Sequence, residues 1–341
     1  MKRRLFVLLV AALAVVAVAH GAAWLWAVRE VERGYVAWLD GMRAEGWSVA
    51  AGAPRRGGWP FAARLVVPGL RVAGGGTPSS EGVAWQAERV VLDVAFSRPH
   101  LLHVRPQGAQ SLRFADGPPL PLRAGRFEVD VPLDGRGTVD VRADDLRVGS
   151  PWGELAATRL LARAVPLAVS VDASGVGLLP APLGAAPESP HRPPDPAVER
   201  VRFDAALTLP VPPGASPARR AAAWQAAGGR VRVEGLDARW SARWGALGVT
   251  GEGTAWLDST LQPVAQARLR LSDYAAALDA LAASGALAPG AATAAKAVLG
   301  LMSEPGPGGP SVQVPLRLEG GLIGMGRVPL LRLPALAWPD D

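Results

Sequence analysis

The sequence predicts a mainly β protein with some α: extended antiparallel β-sheet built from two related β-units, packed by C-terminal helices and preceded by one N-terminal transmembrane helix. Three observations predict it. Apolar and polar residues alternate with a period of two from Ser48 to about Asp258. An uncharged apolar run occupies Leu5–Val28, and a helical period returns between about residues 272 and 302.

Taken in order, Met1-Lys2-Arg3-Arg4 precedes LFVLLVAALAVVAVAHGAAWLWAV, 24 residues without a charge. At 1.5 Å per residue, about 20 apolar residues cross a hydrocarbon core of roughly 30 Å, so the run is long enough. Lys2, Arg3 and Arg4 lie before it, whereas Arg29, Glu30, Glu32 and Arg33 after it nearly cancel, which predicts a cytoplasmic N-terminus and an exported bulk. Trp24 and Trp26 fall where an interfacial aromatic belt belongs. The competing reading is a cleaved signal peptide with Ala17-Val18-Ala19 as its site, against which the apolar run continues well beyond Ala19. An amphipathic helix over residues 29–46 follows, with Val28, Val31, Tyr35, Trp38, Leu39 and Met42 on one side and Gly46 as its stop.

A first β-rich unit is expected over residues 47–180. Val90, Leu92, Val94 and Phe96 alternate with Val91, Asp93 and Ala95, and Phe127, Val129 and Val131 with Glu128 and Asp130. One apolar face and one wet face mark antiparallel strands. Turns such as Arg56-Gly57-Gly58 and Asp134-Gly135 separate the runs. Residues 181–197 are proline-rich and read as an extended linker. A second β-rich unit, 198–341, follows, with helices at about 272–302 and closing strands from Val312.

Residues 137–158 align without a gap to residues 229–250, with nine identities, including Asp145/Asp237, Trp152/Trp244 and Gly153/Gly245; ordinary composition would give about two. Each copy reads as strand, polar turn and strand, with Trp152-Gly153 and Trp244-Gly245 at the return. These four residues are structural expectations rather than site claims. Two related units stacked edge to edge would leave no long bare edge, and a compositional recurrence of Trp-Gly is the alternative.

The 341-residue chain has room for roughly two domains. It contains no cysteine, which excludes disulfides, thiolate catalysis and Cys-ligated metals. With 49% hydrophobic and 19% charged residues it is neither a disordered tail nor a multi-span membrane protein. The net charge is only +6 despite a pI near 10.7, and the arginines are interleaved with carboxylates, which argues against nucleic acid as a partner. Arg55-Arg56 and Arg219-Arg220 are clusters that suit anionic lipid head groups, but solvated turns account for them better.

No nucleophile elbow, zinc helix, phosphate loop or dinucleotide fingerprint occurs. His100 and His103 are three apart with no third ligand at metal spacing, so neither a metal nor a cofactor is expected. Asp145 and Asp237 are the only carboxylates nominated for a cell-wall hydrolase, and a turn role suits them better.

The anchor, the following Trp-bearing helix, Gly58-Trp59-Pro60-Phe61-Ala62-Ala63-Arg64-Leu65, the β-rich middle and the closing Val314-Pro315-Leu316-Arg317-Leu318, Gly326-Arg327-Val328-Pro329-Leu330 and Leu333-Pro334 resemble the bacterial family called domain of unknown function 2125. More distantly, the plan is similar to AsmA-like envelope proteins, whose curved sheets are implicated in lipid traffic. The resemblance implies location and fold and brings no catalytic residues. The expected function is that of a non-enzymatic, single-pass inner-membrane protein with its bulk in the periplasm. Its apolar sheet face, covered by the late helices, would handle a lipid or another apolar envelope component. The alternative is an envelope scaffold that docks partner proteins, and a remoter one is the hydrolase.

Overall fold

The computed structural model describes residues 2–74, 82–114, 117–150, 153–179, 198–212, 217–240, 246–283, 287–305, 310–325, 328–333, 335–336 and 338. Among the described residues strands take 54% and helices 25%, so the fold is mainly antiparallel β. It divides into two compact units: residues 1–119 with 128–139, and residues 120–127 with 140–341. The expected linker 181–197 lies outside the described residues, and the division by packing falls earlier in the chain.

Unit 1 begins with α1 (Lys2–Ala44), a single uninterrupted helix in which the apolar run and the amphipathic segment join. Gly46, at a φ of 85°, follows it as the left-handed residue that lets the chain leave. Then come β1 (Ser48–Ala50), β2 (Arg55–Gly57), β3 (Ala62–Gly74), β4 (Val83–Ala95) and β5 (Leu101–Phe114). After β6 (Leu120–Arg123), which belongs to unit 2, β7 (Arg126–Pro132) returns to pair with β5. Both β1 and β2 pair with β3, and β3, β4, β5 and β7 are successive antiparallel neighbours.

Register puts Leu65 opposite Leu92, Leu92 opposite Val104 and Val104 opposite Val129, so one sheet face is apolar. Leu65, Val67 and Val90 on this face are at most 1% exposed and pack with Tyr35 of α1. One residue along each strand, on the other face, Arg64, Asp93, His103 and Asp130 form a charged row. Alternation along the strands, read from the sequence, is what sorts these two sets.

Unit 2 contains β8 (Val139–Ser150), β9 (Gly153–Val165), β10 (Ala168–Leu179), β11 (Val198–Leu207), α2 (Pro217–Ala226), β12 (Val231–Trp240), β13 (Gly248–Leu257) and β14 (Pro263–Ser272). It closes with α3 (Tyr274–Ala283), α4 (Pro289–Leu301), β15 (Ser303–Glu304), β16 (Ser311–Glu319), β17 (Leu322–Met325) and β18 (Val328–Arg332). From β9 to β14 each strand pairs antiparallel with the next, and β14, β16, β17 and β18 continue the run. α3 and α4 agree with the expected helices. Tyr274, Val312 and Val314 make a packed core with Leu269, Leu271, Leu278 and Leu299, so the late helices pack on this face of the sheet.

Three local expectations are corrected. Arg55 and Arg56 lie in β2, opposite Val66 and Leu65 of β3, instead of in a turn. Asp145 and Asp237 lie inside β8 and β12 instead of at turns: Asp145 takes a φ of 50° and Asp237 pairs with Arg202 and Thr250, so the strand runs through the polar stretch. Arg219 and Arg220 sit on α2, not on a turn; the helix is held by buried Trp224, whose indole N–H donates to the Leu209 carbonyl at 3.1 Å. Trp152, Trp244 and Gly245 lie outside the described residues, whereas Gly153 opens β9 in a buried position at a φ of 139°.

Candidate functional site

Two cavities differ sharply in chemistry. In unit 2 a space of about 970 Å³ is lined by Arg230, Arg232, Arg268 and Arg317 together with Glu234 and Glu252, and Arg230 lies 5.2 Å over the Trp256 ring. Mixed signs on an open groove are what the wet face of an alternating sheet produces.

The cavity of unit 1, about 940 Å³, lies between α1 and the apolar face of β3, β4, β5 and β7. Such a volume is in the upper range of small-molecule sites. On α1 the lining residues Ala23, Ala27, Val31, Gly34, Tyr35 and Trp38 recur at three- and four-residue spacing, hence on one face of the helix. Three of them are small, and a Cβ on Gly34 would meet nothing within 4 Å. The space exists because the helix offers Ala and Gly where bulk would fill it. From the sheet come Val67, Leu70 and Val72, then Trp85, Val90, Leu92 and Val94, then Leu102, Val104 and Val131. The run from Ala23 to Trp38 rises about 22 Å along the helix.

Polar groups are few here. Glu30 is the charged lining residue and is ion-paired to Arg33 at 2.7 Å. Tyr35 is 8% exposed, and its hydroxyl has no hydrogen-bond partner among the described residues. A buried hydroxyl left without a partner costs about 1–3 kcal/mol, so it marks a place where a ligand acceptor would be welcomed.

The N-terminal end of this arrangement is held by side chains of α1. His20 Nε2 lies 2.7 Å from the Pro60 carbonyl oxygen, and the Trp24 indole N–H donates to the Ala62 carbonyl at 2.9 Å. The Trp59 ring contacts His20 and Trp24 at 5.0 and 5.7 Å between centroids. Trp24 is therefore tied to the sheet, while Trp26 stays 63% exposed and lines the cavity.

On the opposite sheet face Asp93 accepts from Arg64 at 2.8 Å and lies 3.6 Å from Arg105, and His103 Nδ1 lies 2.6 Å from Asp130. His103, paired in this way, belongs to the charged row. Among the described residues no group of three or more His, Asp or Glu is arranged to hold a metal.

The segment that closes this end, Gly58-Trp59-Pro60-Phe61, carried part of the family resemblance, and residues 24–334 match the family described as uncharacterized protein conserved in bacteria (DUF2125). The chain belongs to that family. No curated protein and no solved structure matches it, so the likeness to AsmA-like proteins gains no support. In this DUF2125 protein the sequence showed the α1 stripe and the strand alternation that make the walls. It did not show that the Tyr35 hydroxyl lacks a partner among the described residues, or the gap itself; the small residues Ala23, Ala27 and Gly34 were the available signal.

Proposed function

We propose that this DUF2125 protein is a non-enzymatic, single-pass inner-membrane protein with its bulk in the periplasm, and that the unit 1 cavity holds the acyl part of a lipid. One observation carries the reading: an apolar cavity of about 940 Å³ is walled by the same helix that bears an apolar stretch long enough to cross a membrane. Acyl chains leave water with roughly 0.8 kcal/mol per CH2, and a slot about 22 Å long beside a membrane helix suits them. The basic Lys2, Arg3 and Arg4 before the apolar stretch support the orientation. The reading places the lipid site at α1, where the apolar cavity lies, and not at the late helices.

The test uses the full chain purified from membranes, with lipids extracted and quantified by mass spectrometry against a Gly34→Phe variant. The new ring enters open space, and replacing glycine within a helix favours folding. Stoichiometric lipid on the wild-type chain and a loss of about tenfold in the variant are expected. Lipid absent from the wild type, or unchanged in the variant, refutes the reading.

A further inference from the structure

The apolar run and the docked part of α1 overlap, and the overlap has a geometric consequence. The uncharged run ends at Val28, but the side chains of His20 and Trp24 already tie the helix to the Pro60 and Ala62 carbonyls. Leu5–Ala19, ahead of the first of these contacts, rises only about 22 Å, short of a hydrocarbon core of roughly 30 Å. A span that also uses residues 20–24 takes with it whatever is attached there. That attachment is the turn between β2 and β3.

The turn is built for such a place. Gly57–Ala63 carries no charge and is flanked by Arg55, Arg56 and Arg64, of which Arg56 is ion-paired to Glu32 and Arg64 to Asp93. Phe61 is 81% exposed and Trp59 53% exposed, although both sit in an ordered turn whose Phe61 carbonyl accepts the Phe96 N–H at 3.1 Å. Trp26 on the adjoining stretch of α1 is also exposed. Aromatic side chains gather at membrane–water boundaries, where the rings are half-solvated.

We propose that the Trp59-Pro60-Phe61 turn is inserted into the head-group and acyl boundary of the bilayer that α1 crosses, on the side of the bulk. Unit 1 then rests on the membrane at the end where Ala23, Trp26 and Phe96 line the cavity. This rests on the membrane-anchor reading above, but not on the cavity being occupied.

The cysteine-free chain permits single labelling sites. Leu13→Cys, Phe61→Cys and Ala44→Cys, each carrying an environment-sensitive fluorophore, are reconstituted as full chains in phosphatidylethanolamine–phosphatidylglycerol vesicles containing nitroxide lipid. Residue 13 lies in the apolar run, and residue 44 lies about 36 Å beyond His20 along α1. Strong quenching at 13 and 61, with blue-shifted emission at 61, and at least fivefold weaker quenching at 44 are expected. Quenching at 13 with position 61 as unquenched as 44 overturns the proposal, which is also the outcome if a protein partner covers the turn. No quenching at 13 removes the anchor and the proposal with it. Because the readout is label depth, it is separate from the lipid retained by the Gly34→Phe variant.

Discussion

Tyr35 illustrates how a single side chain can report on a site. Its ring packs in the core of unit 1 and stacks near Trp38 at 6.2 Å, yet its hydroxyl is without a partner among the described residues. Tyr35→Phe removes the unsatisfied group and keeps the shape, so the lipid-free protein is expected to gain about 1 kcal/mol in urea denaturation. Asp172 shows the opposite case. It accepts from the Arg200 guanidinium and lies 3.4 Å from Arg202, and the Arg200 hydrogen bond leads the causes that hold its carboxyl below the ordinary range. A carboxylate whose pKa is lowered by folding stabilises above its unfolded value near 4, and the contribution fades as pH falls through the lower folded value. The wild type should therefore exceed Asp172→Asn by no more than about 1 kcal/mol at pH 7, a margin that shrinks below about pH 4 and vanishes as pH falls through the lowered folded value. Denaturant midpoints across pH measure this; a margin that persists in acid would contradict it.

Elements acquire their roles from which face they bury. α1 is one helix of 43 residues, but Leu9, Leu13 and Val18 are each more than two-thirds exposed, whereas Val28 and Tyr35 are buried against the sheet. The change marks where a helix facing lipid or solvent becomes part of a protein core. The turn that meets it depends on Gly58. At a φ of 92°, its added Cβ would stand 2.5 Å from the Ala62 carbonyl oxygen, a backbone atom that cannot yield. Gly58→Ala is expected to cost about 2 kcal/mol through positive-φ strain and that clash. Circular dichroism melts of the full chain would register it as a lowered Tm; an unchanged Tm would show that the turn rearranges freely.

For the whole molecule the question is where the chain sits. A topology in which α1 crosses once predicts that a reporter fused after Asp341 is active in the periplasm and inactive in the cytosol. It also predicts that N-terminal peptide mass spectrometry of the mature protein detects residues 1–19. A mature N-terminus at His20 would identify the run as a signal peptide; the contacts of His20 and Trp24 would then belong to a shorter, docked helix.

Much of the fold was legible because it depends on periodicity. Val90, Leu92 and Val94 face the cavity while Asp93, on the other side, meets Arg64, and Tyr274, Ala277 and Leu278 place α3 over β14 and β16. α2 escaped notice because its ten residues carry only Ala221 and Trp224 as buried apolar anchors. Asp237 misled because Asp favours turns locally, while its pairing with Arg202 and Thr250 overrides that preference; Asp145 keeps a left-handed φ of 50° but within β8. Sequence alone determined the mainly β class, the apolar run of α1 and the two-sided strands, since each follows from the spacing of residues close in the chain. Only the tertiary structure decided that α1 stands off β3, β4, β5 and β7 to leave a cavity, that the Tyr35 hydroxyl finds no partner among the described residues, and that the Trp59 ring meets the helix at His20. Those outcomes depend on volumes summed across strands far apart in sequence, and a one-dimensional pattern carries no information on whether opposed side chains fill the distance between them.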